Sequence, residues 1–119
     1  MDLKKHQTLV REFCTARDWD QFHDPKELAI GLVTEASELL QLFRFLQADQ
    51  MREVLTKSKE DVSDELADIY YFLLRFTDRF GFDLDRCLRA KLAKNELKYP
   101  VEMARSKNVK YDKLSFPND

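Results

Sequence analysis

The chain has 119 residues, of which 35% are charged and 44% hydrophobic, with only two Gly and three Pro. This length suits one domain with its own core, and the shortage of turn-forming residues favours helices over a sheet protein. The net charge of −2 and the pI near 5.7 argue against binding of a nucleic acid polymer through a basic surface.

The first predicted helix runs from about Asp2 to Arg17, with apolar residues along one face. The second begins after Asp24, which can accept a hydrogen bond as N-cap, with Pro25 at the first helical position. We expect this helix to continue to about Leu46. The segment QADQMREVLTKSK is more polar and predicts a short helical turn before the next helix start.

The third predicted helix starts at Ser58, which with Asp61 resembles a capping box, and extends to about Phe80, where Gly81 stops it. Asp83 caps a fourth helix that reaches about Leu97, and the tail from about residue 100 has weak periodicity and predicts mostly irregular structure. The sequence thus predicts an all-α protein of about four main helices. We treat 1–119 as a single domain.

Cysteine content and hydropathy predict a soluble, cytoplasmic protein without a membrane partner. Cys14 and Cys87 are far apart and lack the close-set partners of a zinc site or a disulfide framework. The opening segment MDLKKHQTLV never develops the apolar core of a signal peptide, and no apolar run reaches membrane-spanning length.

Two of the predicted helices each carry a pair of carboxylates three residues apart, namely Glu35 with Glu38 and Glu65 with Asp68. Positions three apart on an α-helix are separated by only ~60° in angle, so two such helices side by side can aim four carboxylates at one small volume. At ~4 Å and an effective dielectric of ~20, each pair of like charges costs about 4 kcal/mol. A hard divalent cation such as Mg²⁺ would remove this repulsion.

Helical projection places Glu35 inside the apolar stripe of its helix, where a free carboxylate is costly and needs a partner. Glu38 lies at the edge of that stripe, and the third helix has an apolar seam that includes Leu66 and Phe80, flanked by Glu65 and Asp68. The alternative is that these acids lie on solvated helix faces, since Glu-x-x-Glu arises readily in so charged a chain. A di-iron carboxylate bundle would need His three residues after Glu, and the only histidines are His6 and His23.

Aromatic and basic residues offer a place for a nucleotide. Trp19 and His23 lie in the loop before the second helix, and Phe45 lies near its far end, so their rings could stack a nucleobase or could instead fasten the loop to the core. Polar groups along the fourth helix and the tail could bind phosphate or sugar, or could form a solvated face. They are Lys91, Lys94, Asn95, Lys98, Tyr99, Lys110 and Tyr111.

The segments RDWDQFHDPKELAIGLVTEASELLQLF, DELADIYYFLLRF and KLAKNELKYP, with the later KY, together resemble the MazG-like nucleoside triphosphate pyrophosphohydrolases, and in particular their dCTP pyrophosphatase-like branch. The resemblance covers most of the chain from Arg17 to Tyr111. It implies an all-α bundle assembled as a dimer or a dimer of dimers, with the active site completed by a neighbouring subunit.

The resemblance also implies roles for individual residues. Four acids would be Mg²⁺ ligands: Glu35, Glu38, Glu65 and Asp68. The phosphates or sugar would be contacted by Lys91, Asn95 and Tyr99, with Lys110 and Tyr111 at the same end. The base would be enclosed by Trp19, His23, Phe45 and Phe72.

Three departures from the family pattern bear on specificity. Thr34 replaces an acid that many relatives carry just before the first metal-binding Glu, so fewer metal ions or a weaker one are expected. Phe45 stands where the dCTP-hydrolysing branch often has Trp, and Phe72 stands where it often has Tyr. The base preference is therefore left open by the sequence.

The implied activity is Mg²⁺-dependent hydrolysis of a nucleoside triphosphate, with a deoxynucleotide favoured, between the α and β phosphates, giving a monophosphate and pyrophosphate. Glu38 is our choice to orient or deprotonate the attacking water, because the edge of the apolar stripe is open to solvent. The implied role is removal of unwanted nucleotides from the pool. The alternative is a helical dimerisation or regulatory module that binds nucleotide without hydrolysing it.

Overall fold

Helices account for all the regular structure among residues 2–105, 107 and 108, which are the residues that a computed structural model of the chain describes. The prediction of an all-α protein is confirmed. In chain order the helices are α1 (Leu3–Ala16), a 3-10 turn (Asp20–Phe22), α2 (Pro25–Gln41), α3 (Ala48–Lys57), α4 (Lys59–Phe80), α5 (Leu84–Lys98) and the single turn α6 (Val101–Ala104).

The ends of the helices follow from their capping residues. The side chain of Asp24 accepts a hydrogen bond from the backbone N–H of Glu27 at 2.7 Å, and Pro25 fills the first position of α2. Asp83 caps α5 in the same way at 3.1 Å. Gly81 ends α4 with a φ of 76°, a left-handed conformation that glycine adopts without strain. These predicted boundaries are confirmed.

One helix boundary and one capping interaction of the central region were predicted wrongly. Helix α2 ends at Gln41 rather than near Leu46, and residues 42–45 form a turn in which Phe45 has a φ of 69° that no α-helix can contain. Ser58 is the N-cap of α4, but its side chain makes no capping hydrogen bond, so the predicted capping box with Asp61 does not form.

The segment predicted to hold one short helical turn is instead the ten-residue helix α3. Its start is fastened by the side chain of Gln50, whose Oε1 accepts a hydrogen bond from the backbone N–H of Gln47 at 2.8 Å. Along α3, ion pairs join Arg52 to Asp49 and Lys57 to Glu53. Such pairs stabilise a polar helix only modestly, and packing of α3 against α4 adds to them.

The chain divides into two compact units at Gly81. In the first unit, α4 packs against α1, α2 and α3. The second unit contains α5 and α6, so the tail from about residue 100, predicted to be irregular, includes one helical turn within the described residues. The single domain over 1–119 stays a prediction.

The first unit has a small apolar core. Among the described residues, Cys14, Leu28 and Leu74 are the buried hydrophobic side chains, with exposed fractions of 0%, 1% and 2%. The predicted seam of α4 was wrong in part, because Leu66 is 52% exposed while Leu74, outside that seam, is buried. Helix α4 has several neighbours, so its buried face is not the single stripe that a projection assumes.

Among the described residues, no helix combines the length and the apolar character that a membrane crossing would require.

Candidate metal and nucleotide site

Three of the four predicted metal ligands converge between α2 and α4. Glu35 and Glu38 project from α2 and Glu65 projects from α4, and one carboxylate oxygen from each lies within 4.8 Å of the other two. Helix α2 supplies two of them because residues three apart share one face. The cluster forms because α2 and α4 pack against each other.

Two oxygens of this cluster are buried without a partner. Oε2 of Glu35 and Oε2 of Glu65 are shielded from solvent and make no hydrogen bond to any described residue. Leaving a buried carboxylate oxygen unpaired is costly. An all-oxygen donor set with unsatisfied oxygens is what Mg²⁺ prefers in proteins, so the residues present fit this cation.

Mutual repulsion perturbs the acids of the cluster. The pKa of Glu35 is raised to about 7 by its hydrogen bond with Glu38, by burial and by the charges of Glu38, Asp68 and Glu65. The pKa of Glu65 is also raised, chiefly by burial and then by Glu38. Without a cation, the cluster therefore holds on to protons that isolated carboxyl groups would release.

Asp68 and Glu38 differ from Glu35 and Glu65, the two acids with a buried, unpartnered oxygen. Asp68 lies outside the set of three that meet within 4.8 Å, and acts on Glu35 and Glu65 through its charge. Glu38 is exposed, as expected for the group chosen to handle water. Thr34, beside Glu35, is exposed and adds no carboxylate to the cluster.

Close contact between Gly31 and Phe72 fixes the spacing of the two helices that carry the cluster. A Cβ at Gly31 of α2 would lie 2.2 Å from Cε1 of the Phe72 ring on α4, so only glycine leaves room for that ring. No role for Gly31 was predicted from the sequence. Its signal was a glycine inside an apolar helix, which costs about 1 kcal/mol relative to Ala and needs a packing reason.

The predicted base-binding residues of the first loop lie side by side. Trp19 and His23 have ring centroids 6.3 Å apart, and Trp19 packs edge-on against Phe13 of α1 at 5.7 Å. Trp19 is 38% exposed, so part of its face is open to a ligand. The loop is therefore fastened to α1 and still presents aromatic surface, and stacking of a nucleobase on it stays a prediction.

Arg75 is a second residue whose role was not predicted from the sequence. It lies on α4 with 1% of its surface exposed, and its guanidinium pairs with Asp20. Its Nε donates a hydrogen bond to Nδ1 of His23 at 2.9 Å. The signal was an arginine within the apolar run YYFLLRF, because a buried charge needs partners.

The other two predicted aromatic contacts differ in exposure. Phe45, just beyond α2, is 85% exposed, and the guanidinium carbon of Arg44 lies 4.6 Å from its ring centroid. Phe72 is half-buried against Gly31 and Tyr71, so it contributes to helix packing.

The predicted phosphate-binding residues belong to the second unit. Lys91 and Asn95 lie one turn apart on α5, with Lys91 exposed and Asn95 half-buried, and Tyr99 follows the end of the helix. Lys110 and Tyr111 lie outside the described residues.

Histidine is absent from the described metal cluster. The ring of His6 is hydrogen-bonded through Nδ1 to the hydroxyl of Tyr70 at 2.8 Å, and that of His23 accepts from Arg75. Nothing in the described residues therefore favours the di-iron alternative.

Comparison with known proteins identifies the family. A model of the MazG-like family matches residues 30–114, which include all three glutamates of the carboxylate cluster. The chain belongs to the MazG-like family. The predicted resemblance is thereby confirmed.

Relatives of this MazG-like chain are pyrophosphatases. The chain is 33% identical over 114 residues to dCTP pyrophosphatase 1 of Rattus norvegicus, covering 94% of this chain and 67% of that protein. It is 32% identical over 114 residues to dCTP pyrophosphatase 1 of Homo sapiens, with the same coverage. A crystal structure of a pyrophosphatase from Archaeoglobus fulgidus DSM 4304 superposes with a TM-score of 0.78 and 35% identity, covering 82% of this chain and 91% of that one. The predicted enzyme class, a pyrophosphatase, is confirmed.

Proposed function

We propose that this protein is a Mg²⁺-dependent hydrolase that cleaves a nucleoside triphosphate, with deoxynucleotides favoured, between the α and β phosphates to release a monophosphate and pyrophosphate. The observation that supports it most is the pair of buried, unpartnered oxygens of Glu35 and Glu65. Buried carboxylate oxygens without a partner destabilise the metal-free protein. A cation bound between them would remove this destabilisation.

Magnesium at this cluster would neutralise charge on the phosphate oxygens and lower the pKa of a bound water. Glu35 and Glu65 would hold the cation with their buried oxygens, and Asp68 would add negative charge next to them. Glu38 is exposed, and its interaction with Glu35 raises the pKa of Glu35. We assign Glu38 the task of orienting or deprotonating the water.

Substrate contacts would come from the predicted aromatic and polar residues. Trp19 and His23 would enclose the base, together with Phe45 and Phe72. Lys91, Asn95 and Tyr99 would contact phosphate or sugar, with Lys110 and Tyr111. The relatives named dCTP pyrophosphatase make dCTP the first substrate to test, and the role of such an enzyme would be to clean the nucleotide pool.

Self-association is part of this proposal. Helix α2 exposes several large apolar side chains, among them Ile30, Val33 and Leu40, with exposed fractions of 51%, 69% and 55%. A surface this apolar marks an association site more often than a solvated face. A dimer, or a dimer of dimers, would bury it.

A product analysis tests the activity. The purified protein is incubated with canonical and modified dNTPs and Mg²⁺ in water labelled with heavy oxygen. We expect monophosphate and pyrophosphate, and the phosphorus atom that carries the label identifies the one attacked. Diphosphate and inorganic phosphate as main products would contradict cleavage between the α and β phosphates.

Two variants test the role of Glu38 in the same assay. Glu38→Gln should lower kcat by at least about a hundredfold, the lower range for loss of a general base. Glu27→Gln, an exposed glutamate of the same helix, is the matched control and should leave kcat unchanged. Equal turnover by both variants would refute the role of Glu38. Nucleotide binding without any hydrolysis by wild type would support the non-catalytic module instead.

A further inference from the structure

Buried arginine is rare in a small helical protein, and Arg75 has two partners in the loop before α2. One terminal nitrogen of its guanidinium pairs with Oδ1 of Asp20, and its Nε donates to Nδ1 of His23 at 2.9 Å. Arg79, one turn further along α4, donates from its Nε to the backbone carbonyl of His23 at 3.0 Å. Two arginines of α4 thus hold this histidine by its ring and its backbone.

The hydrogen bond to Nδ1 decides where the proton of His23 lies. A guanidinium only donates and is always charged at ordinary pH, so Nδ1 must be the acceptor. In a neutral imidazole with an acceptor at Nδ1, the proton is on Nε2. This Nε2–H has no hydrogen-bond partner among the described residues, so it is available to a ligand.

The charges around the ring oppose a second proton. The groups that face His23 are Arg75 at the ring, Arg79 at the backbone carbonyl and the carboxylate of Asp20. This carboxylate pairs with Arg75 and accepts a hydrogen bond from the hydroxyl of Thr15 at 3.3 Å. Burial and the two arginine charges lower the pKa of His23, and Asp20 raises it by less. A second proton on the ring is therefore less favourable than on an ordinary histidine.

We infer that Arg75 is a positioning residue: it fixes His23 as the tautomer protonated on Nε2, so that the ring presents one defined hydrogen-bond donor to an acceptor on the nucleobase. This inference rests on the proposed function, since it takes the substrate to be a nucleotide enclosed by Trp19 and His23. It adds a selection rule: at this position the site accepts a base that offers a carbonyl oxygen or an unprotonated ring nitrogen. A base edge that can only donate would be disfavoured.

Nuclear magnetic resonance of the nitrogen-labelled wild-type protein tests the tautomer directly. Long-range proton–nitrogen correlations distinguish a protonated ring nitrogen from an unprotonated one, and the chain has only two histidines to assign. We expect His23 to show an unprotonated Nδ1 and a protonated Nε2 as its main form from about pH 8 down to about pH 6.5, the ordinary histidine pKa. His6, whose partner is the hydroxyl of Tyr70, is the internal control.

Nucleotide binding tests the donor. Titration with the α,β-imido analogue of dCTP, in which the bond proposed to break is replaced by a stable one, should shift the Nε2 resonance of His23. It should leave that of His6 unchanged. A proton on Nδ1, a mixture of tautomers or an imidazolium at about pH 6.5 would overturn the inference, as would an unmoved Nε2 signal on binding.

Variants of Arg75 separate positioning from structural support. Arg75→Met keeps the length of the side chain but donates to neither partner, and Arg75→Lys has one ammonium to divide between Asp20 and His23. Both variants should let His23 sample two tautomers. Both should also raise KM for dNTP about fivefold, which corresponds to the loss of one hydrogen bond of about 1 kcal/mol. The change in kcat should be smaller than the change in KM. An unchanged tautomer in a folded variant would refute the role of Arg75, and if neither variant folds, the wild-type spectra decide.

The same measurements distinguish the inference from the proposed function. If dNTPs are hydrolysed but the Nε2 resonance of His23 does not shift when the analogue binds, the inference fails and the proposed activity stands. If no dNTP is hydrolysed, the proposed function fails, and the wild-type tautomer still decides what Arg75 does to His23.

Discussion

Removing the charge of Glu35 should stabilise the metal-free protein at high pH. In the folded state the pKa of Glu35 is about 7, whereas its ordinary value is 4.5. Between these values the folded protein binds a proton that the unfolded chain has released, so stability falls as pH rises through this window and levels off above it. Glu35→Gln cannot ionise and should lose this dependence.

The size of the effect follows from the two pKa values of Glu35. Because one pKa unit corresponds to about 1.36 kcal/mol, the rise from 4.5 to about 7 sets a ceiling of about 3.4 kcal/mol. The side chain is only half-buried and water screens its charge, so we expect a gain of about 1 to 2 kcal/mol for the variant at about pH 8. Near pH 4 the gain should vanish.

Urea unfolding followed by far-UV circular dichroism, in the presence of a chelator, measures this difference at both pH values. Glu12→Gln, an exposed glutamate on α1, is the control and should behave as wild type. Adding Mg²⁺ should then stabilise wild type more than Glu35→Gln, since a ligand of the folded state adds free energy by mass action. A variant less stable than wild type at both pH values by the same amount would refute the reasoning.

Three further predictions concern the packing, the metal and the association surface. Gly31→Ala should destabilise the protein by about 1 to 3 kcal/mol, as overpacking does, because the new methyl group meets the ring of Phe72. In thermal unfolding, Gly31→Ala combined with Phe72→Leu should recover part of this loss of stability. Glu65→Gln should weaken Mg²⁺ binding at least about tenfold, measured by calorimetry, because it removes a ligand charge, and equal affinity would exclude Glu65 as a ligand. Val33→Asp should shift light scattering towards a monomer, because a charge is costly in an apolar interface, and an unchanged mass would place the interface elsewhere.

Local chemistry explains why several elements were predictable. Asp24, Pro25, Gly81 and Asp83 act through their own backbone neighbours, so the starts of α2 and α5 and the end of α4 could be read directly. Helix α3 was missed because its polar sequence gives a weak apolar pattern. The end of α2 was missed because nothing in the sequence signals the left-handed conformation of Phe45.

The candidate site was also predictable in part. Spacing on one helix placed Glu35 and Glu38 on a common face, and the position of Glu35 on the apolar stripe correctly indicated a carboxylate that needs a partner. The partners of Arg75 were not predictable, because Asp20 and His23 are more than fifty residues away in the chain and no local pattern joins them to it.

The amino-acid sequence by itself determined the helical class, most of the helix boundaries and the family, because capping, periodicity and motif spacing depend on residues a few positions apart. The tertiary structure decided which acids meet. Contact of Gly31 with Phe72 sets how closely α2 and α4 approach, and this brings together Glu35, Glu38 and Glu65 but leaves Asp68 outside the set. Distances between side chains on different helices depend on how the helices pack, and the residue spacing within either helix does not determine that packing.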